Sequence, residues 1–462
     1  MTSKTLRVLL GGTALLAITG AAAPSLAQMP ASAPPEDHSQ HHPAPAPAGA
    51  PPAAPDPQSM DHGDMDHAAG DDAAGDMGGG MQSPYGSWTM ARDASGTSWQ
   101  PEAAGHGGVH SSAGDWMVMS HALLNFVYSD QSGPRGDDKA FLAGMLMSSA
   151  SRDFGPATLN LRAMLSPDPL MGEDGYPLLL AAGETADGVE PLVDRQHPHD
   201  LFMELSASLS YRFGDDQSVF LYGGLPGEPA FGPPAFMHRP AAMDSPEAPI
   251  SHHWLDSTHI TFGVLTAGYS KGPFKLEASR FRGREPDEKR YDIETGALDS
   301  TAVRFSVNPS ENWALQASWA SIVSPEALEP EHDERRLSLS ALYTRDFGGT
   351  KVSGTLAWAR KDVVPGDTSQ AWVVEGAVQP GPWTIFTRLE QVDQSELTLG
   401  VHHGPQYTVR KASLGVIHDW WLGDNVRIGV GGLINAFDIP APLSASYGDP
   451  GGGMVFVRLK VE

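Results

Sequence analysis

The 462-residue chain contains no cysteine. Disulfides, thiolate metal sites, cysteine nucleophiles and a lipid-bearing N-terminal cysteine are thereby excluded. Positive charge is scarce: 30 Lys and Arg stand against 56 Asp and Glu, a formal net charge of -26. Attraction to phosphates needs the opposite sign, so no nucleic-acid partner is expected. Long apolar runs are missing too. Past the N-terminus no stretch reaches the roughly 18 apolar residues of a membrane-crossing helix.

What is present falls into three parts. Residues 1–27 carry Lys4 and Arg7, an apolar run from Val8 to Ala23, and the small-x-small triplet Ser25-Leu26-Ala27. This is the pattern of a secretory signal peptide. Residues 28–115 hold twelve carboxylates against one basic residue, Arg92, with few large apolar side chains. Such a stretch buries too little surface to offset chain entropy and is expected to be a disordered periplasmic tail. It repeats Met60-Asp61-His62 as Met65-Asp66-His67, with His38, His41 and His42 nearby. Thioether favours Cu(I), while imidazole and carboxylate favour Cu(II), so this set suits copper capture. A solvated spacer is the alternative.

From Trp116 to Glu462 the dominant signal is period two. In Leu201 to Phe213, the odd positions are apolar and Glu204, Ser206, Ser208, Ser210 and Arg212 are polar. That is a strand with one apolar and one polar face. About sixteen such segments, each ~9–12 residues long, match tilted bilayer-crossing strands. They start near Trp116, Ala140, Ala157, Leu201, Gln217, His259, Phe274, Thr301, Trp313, Arg335, Lys351, Ala371, Trp383, Tyr407, Val426 and Met454. Tight turns such as Gly155-Pro156, Gly272-Pro273 and Gly381-Pro382 alternate strictly with long connections such as 166–200 and 225–258. Trp116, Phe213, Phe274, Trp313, Phe347, Trp383, Trp420 and Trp421 cluster at the tight-turn ends, as an interfacial girdle. The expected fold is all-β: an antiparallel transmembrane β-barrel of about sixteen strands in the bacterial outer membrane, among its lipid and lipopolysaccharide.

Histidine marks the candidate sites. Met117, Met119 and His121 share one face of the first strand. Soft ligands there suit Cu(I) passed on by the tail. His197, His199 and Asp200 precede the fourth strand, His238 lies in the next long loop, and His252, His253, Asp256 and His259 lead into the sixth. Adjacent strands would gather these on one sector of the outer rim, where imidazole and carboxylate suit a divalent transition metal. Hydrogen bonding that merely knits the loops is the alternative. Ser251, His252 and Asp256 are close in sequence, but a triad is defined by geometry and no Gly-x-Ser-x-Gly elbow is present. No enzyme activity and no organic cofactor are expected.

The signal peptide, the Met-Asp-His repeats in an acidic linker and the cysteine-free barrel resemble the copper-resistance protein B family of outer-membrane proteins. The resemblance is one of organisation and is most specific at Met60 to His67. It implies copper binding or passage at the outer membrane as part of metal tolerance, with a periplasmic copper-handling partner. The residues also allow a general or substrate-specific diffusion porin, or a structural barrel with a plugged mouth. On the copper reading, deleting residues 28–115 lowers the number of copper ions bound per chain; unchanged stoichiometry in a copper titration would remove the tail from the mechanism.

Overall fold

The computed structural model describes residues 80–399 and 404–462. Its strands are β1 Val109–Ala113, β2 Trp116–Ser132, β3 Asp138–Phe154, β4 Ala157–Leu165, β5 Tyr176–Thr185, β6 Pro191–Gln196, β7 Phe202–Arg212, β8 Gln217–Gly224, β9 Val264–Lys271 and β10 Phe274–Phe281. They continue with β11 Ser300–Ser310, β12 Trp313–Ile322, β13 Asp333–Asp346, β14 Thr350–Val364, β15 Thr368–Pro380, β16 Trp383–Gln394, β17 Tyr407–Gly423, β18 Val426–Asp438 and β19 Gly451–Val461. Leaving out β1, β5 and β6, the sixteen others form one antiparallel ring, each paired to the next in sequence. The ring closes where β19 pairs with β2, from Gly451 opposite Ser132 to Val461 opposite Ala122. β1 pairs with the start of β2, Ala113 opposite Trp116, and so occupies the place on β2 beyond the end of β19.

The period-two pattern decides which way each side chain points. On β7, Ala207, Leu209 and Tyr211 are exposed on the outer face, whereas Ser208 and Ser210 are buried on the inner one. Leu221, Leu265, Leu276, Leu339, Leu356, Leu389 and Leu414 continue the apolar outer surface around the ring. An apolar band of this extent is untenable against water and is the surface that lipid covers. Closure pairs the ladder with no free edge, which is what a backbone in hydrocarbon requires. Phe213, Phe274, Trp313, Phe347, Trp383 and Trp420 are outward and exposed near the tight turns, Trp421 is exposed at the strand end, and Phe213 stacks on Tyr269 with centroids 6.3 Å apart.

Several expectations need correction. Strands run to 17 residues, as in β2 and β3. The alternation of connections is not strict, because residues 133–137 and 365–367, on the long-loop side, are short. The sixth barrel strand starts at Val264 rather than His259. Ser257–His259 instead forms a 3-10 turn, in which His259 Nδ1 lies 2.7 Å from the Asp256 carbonyl oxygen. On β7, Met203 leaves the outward face: the register shifts between Met164 and Leu165 of β4, and Met203 is turned inward and buried.

The largest correction concerns residues 80–115, expected to belong to the disordered tail. They are ordered. Tyr85, Trp88 and Trp99 are buried, Trp88 and Trp99 meet edge to face at 5.1 Å, and Phe220 of β8 packs on both Tyr85 and Trp88. Backbone groups of this segment bond to inward-facing wall residues: Asn308 Nδ2 donates to the Gln100 carbonyl at 2.8 Å, and Arg162 Nη2 to the Gly96 carbonyl at 2.7 Å. Arg92 reaches the Gly272 carbonyl in the β9–β10 turn at 3.0 Å, so the segment fills the tight-turn end of the lumen. Three aromatic anchors in a polar stretch are too few to fold alone, but the barrel wall supplies the surface they need.

The other end is filled by the connection between β8 and β9, residues 225–263. Phe231, Phe236, Trp254, Leu255, Ile260 and Phe262 in it are buried. The two inserts touch: Ala235 N donates to Ser95 Oγ at 2.8 Å. The β5–β6 hairpin packs over the same mouth, with Leu178, Leu179 and Leu180 fully buried and Tyr176 stacked 4.5 Å from Phe141.

Because Leu339 points outward near the middle of β13, Leu339→Arg is expected to cost about 2–4 kcal/mol, the charge penalty at bilayer mid-depth. Denaturant titration of the protein refolded in lipid vesicles measures it; an unchanged midpoint would contradict the lipid-facing assignment.

Candidate functional site

The inner wall carries charge of both signs, and the charges are paired. Arg162 with Glu204 at 2.8 Å, Arg304 with Glu277 at 3.0 Å, Arg336 with Glu334 at 2.5 Å, Arg388 with Glu375 at 3.2 Å and Arg458 with Asp419 at 2.5 Å link positions of the wall itself. A second set ties wall to insert. Arg239 of the insert donates to Glu375 at 2.8 Å and to Asp256 at 2.5 Å. Lys411 meets Glu247 at 2.7 Å, Arg458 meets Asp244 at 2.5 Å, and Ser251 Oγ donates to Glu390 at 2.8 Å. Arg304, Lys275, Glu277 and Lys411 are at most 2% exposed. Luminal charges facing a water-filled channel would be wetted; these face polypeptide.

The predicted histidine positions converge, though not where expected. His197, His199, His252 and His259 are buried inside the long-loop mouth, not displayed on an outer rim, and His253 is half-buried beside them. Two elements bring them together: the segment leading into β7 and the one-turn helix His252–Leu255 with the following 3-10 turn. Ring centroids of His199 and His259 are 5.1 Å apart, His252 and His259 5.2 Å, His252 and His253 5.6 Å, and His197 and His253 6.0 Å. His199 Nδ1 faces Asp168 Oδ2 at 2.8 Å and His252 Nδ1 faces Asp256 Oδ1 at 2.8 Å. His197 Nε2 stands 3.1 Å from Glu184 Oε1 but outside hydrogen-bonding geometry. Burial holds His197, His253 and His259 well below the usual histidine range, so these rings are neutral at pH 7 and keep an available lone pair.

Asp256 faces His252, but Asp200 does not join the cluster; it pairs with Arg290 at 3.4 Å. Asp168 and Glu184 were missed, because nothing near them in sequence marks them and the β4–β7 connection alone brings them in. Ser251 bonds to Glu390, while His252 faces Asp256, so these three residues do not form a serine triad. His238 lies apart from the cluster, 6.3 Å from His121 of β2. Met119 faces inward and is buried, as is Met164 of β4, but Met117 at the strand end is 41% exposed. His38, His41, His42, Met60, Asp61, His62, Met65, Asp66 and His67 lie outside the described residues.

Arg239→Ala would leave Glu375 and Asp256 short of a buried cation, at an expected cost of about 3–5 kcal/mol. The loss is read as a lower temperature for conversion of the folded to the unfolded band in detergent gels. A wild-type melting temperature would show that the insert is not held by this pair.

No protein-family profile matches the chain, and no curated protein sequence matches it, so the resemblance to the copper-resistance protein B family gains no support. Solved outer-membrane structures do match in shape. An OmpF structure of Salmonella typhi in complex with daunomycin aligns over 76% of this chain and 100% of its own, at 9% identity and a TM-score of 0.49. An anion-selective porin from Comamonas acidovorans aligns over 75% of this chain and 99% of its own, at 12% identity and a TM-score of 0.44. An outer-membrane OmpT of Vibrio cholerae lacking loop L8 aligns over 75% and 99%, at 9% identity and a TM-score of 0.44. The architecture of this chain rests on its own strand pairing, and nothing about solute passes from these likenesses.

Proposed function

We propose that this chain is an outer-membrane channel of the porin type for small hydrophilic solutes, held shut in this conformation by its own polypeptide. The observation that carries the proposal is a closed sixteen-strand ring whose inner wall is polar and charged, with those charges paired to two inserted segments. A barrel that served only as a scaffold would be free to fill its interior with apolar side chains. A charged wall instead exchanges protein partners for water at modest net cost, since buried ion pairs roughly balance desolvation against attraction. Opening would withdraw both residues 225–263 and residues 81–106 from the lumen. The protein acts without catalysis and without an organic cofactor, surrounded by lipid and lipopolysaccharide, with the tight turns and the N-terminal segment on the periplasmic side.

The second reading, a permanently plugged structural barrel, draws on the same buried wall charges. Planar-bilayer recording separates the two. Replacing residues 228–259 by a short Gly-Ser linker and deleting residues 80–106 is expected to give stable open channels, while the wild type opens rarely and at high voltage. A wild type that never opens, beside a conducting variant, favours the structural barrel. A variant that conducts nothing removes the channel proposal.

Copper handling by residues 28–79 is a separate proposal resting on the Met-Asp-His repeats. Since residues 80–115 belong with the barrel, the informative deletion is 28–79, with copper counted per refolded chain. Retention of the full copper count would end it.

A further inference from the structure

The histidines of the long-loop mouth play no part in the channel proposal, yet their nitrogens are arranged in a specific way. His199, His252 and His259 each turn Nδ1 to an oxygen: Asp168 Oδ2, Asp256 Oδ1 and the Asp256 carbonyl. An acceptor at Nδ1 holds the proton there and leaves the Nε2 lone pair free, which is how histidine ligands are oriented in metal centres. Nε2 of His199 and of His259 is buried and has no hydrogen-bond partner. A buried polar atom left unpaired costs free energy, so two of them on neighbouring rings call for a third party.

The spacing agrees. Two imidazoles bound through Nε2 at about 2.0–2.1 Å to one tetrahedral ion have centroids about 5 Å apart. His259 stands at 5.1 Å from His199 and 5.2 Å from His252. Phe236 packs against all three rings, at 5.7–6.5 Å, and shields the space between them from water. As the side chains stand, no group of three or more His, Asp or Glu among the described residues is placed to hold a metal ion, so binding requires the imidazoles to turn toward one another.

We propose that Nε2 of His199, His252 and His259 binds one divalent transition-metal ion of the zinc, nickel or copper(II) class, for which imidazole is a suitable ligand. The ion ties the segment entering β7 to the insert between β8 and β9, and so locks the insert in the mouth. Asp168 and Asp256 are positioning residues for these ligands. The proposal does not depend on whether the barrel conducts.

The test uses the full-length chain refolded in detergent, titrated separately with Zn²⁺ and Co²⁺. Bound ions are counted after gel filtration, and the folded-to-unfolded gel transition is followed with and without Zn²⁺. The wild type is expected to hold one ion more than H199Q/H252Q/H259Q, to show visible Co²⁺ bands of tetrahedral nitrogen coordination that the triple variant lacks, and to melt at a higher temperature with Zn²⁺. Asp168→Asn is expected to weaken binding about 10–100-fold, and His110→Gln, outside the cluster, to leave it unchanged. Equal ion counts and identical Co²⁺ spectra in the wild type and the triple variant would overturn the site. Should the triple variant fail to refold, His259→Gln alone decides: an unaltered Co²⁺ spectrum overturns the proposal and an altered one supports it.

Discussion

Closure of the hydrogen-bonded ring is the constraint on which the rest of this structure depends. Once β19 pairs with β2, every barrel strand has two neighbours and no edge is left for hydrocarbon to face. Apolar side chains must then point outward and polar ones inward, because successive residues of a strand alternate. The interior becomes a polar space that water or paired polar groups must fill. In this chain polypeptide fills it, and the wall charges take partners from that polypeptide.

The filling arrives from both ends, and the two pieces are held differently. Residues 81–106 rely on Tyr85, Trp88 and Trp99 and on backbone carbonyls bonded to wall side chains such as Asn308 and Arg162. The 225–263 insert has more apolar residues of its own, but its carboxylates and Arg239 meet wall charges of opposite sign. Such pairs specify the seat of the insert more than they stabilise it. That balance suits a part that is seated in one place and also able to leave. The histidine cluster adds a second fastening at the long-loop mouth, one that depends on an ion rather than on the barrel alone.

The barrel was legible in the sequence because lipid and lumen impose their difference residue by residue. The turns at Gly155-Pro156, Gly272-Pro273 and Gly381-Pro382, the aromatic ends and most strand starts are local signals, and the structure places them within a few residues of expectation. Met203 and His259 departed from it because a register shift at Met164 and a 3-10 turn at Ser257 interrupt the alternation. Neither interruption has a composition of its own. Residues 80–115 misled more seriously: a polar stretch with three large aromatics has the composition of a tail until a wall is supplied to receive them.

Sequence alone determined that this chain forms a closed membrane barrel with a charged interior, since period two, turn chemistry and girdle aromatics are each written within a few neighbouring residues. It also marked His197, His199, His252, His253 and His259 as residues of interest, because these histidines are clustered along the chain. Only the tertiary structure decided that the interior is occupied, that Glu375, Lys411 and Arg458 answer Arg239, Glu247 and Asp244, and that Asp168 and Asp256 orient two of the rings. Those pairings join residues far apart in the chain. Their partners are chosen by how a long connection folds back into the lumen, and no local pattern encodes that choice.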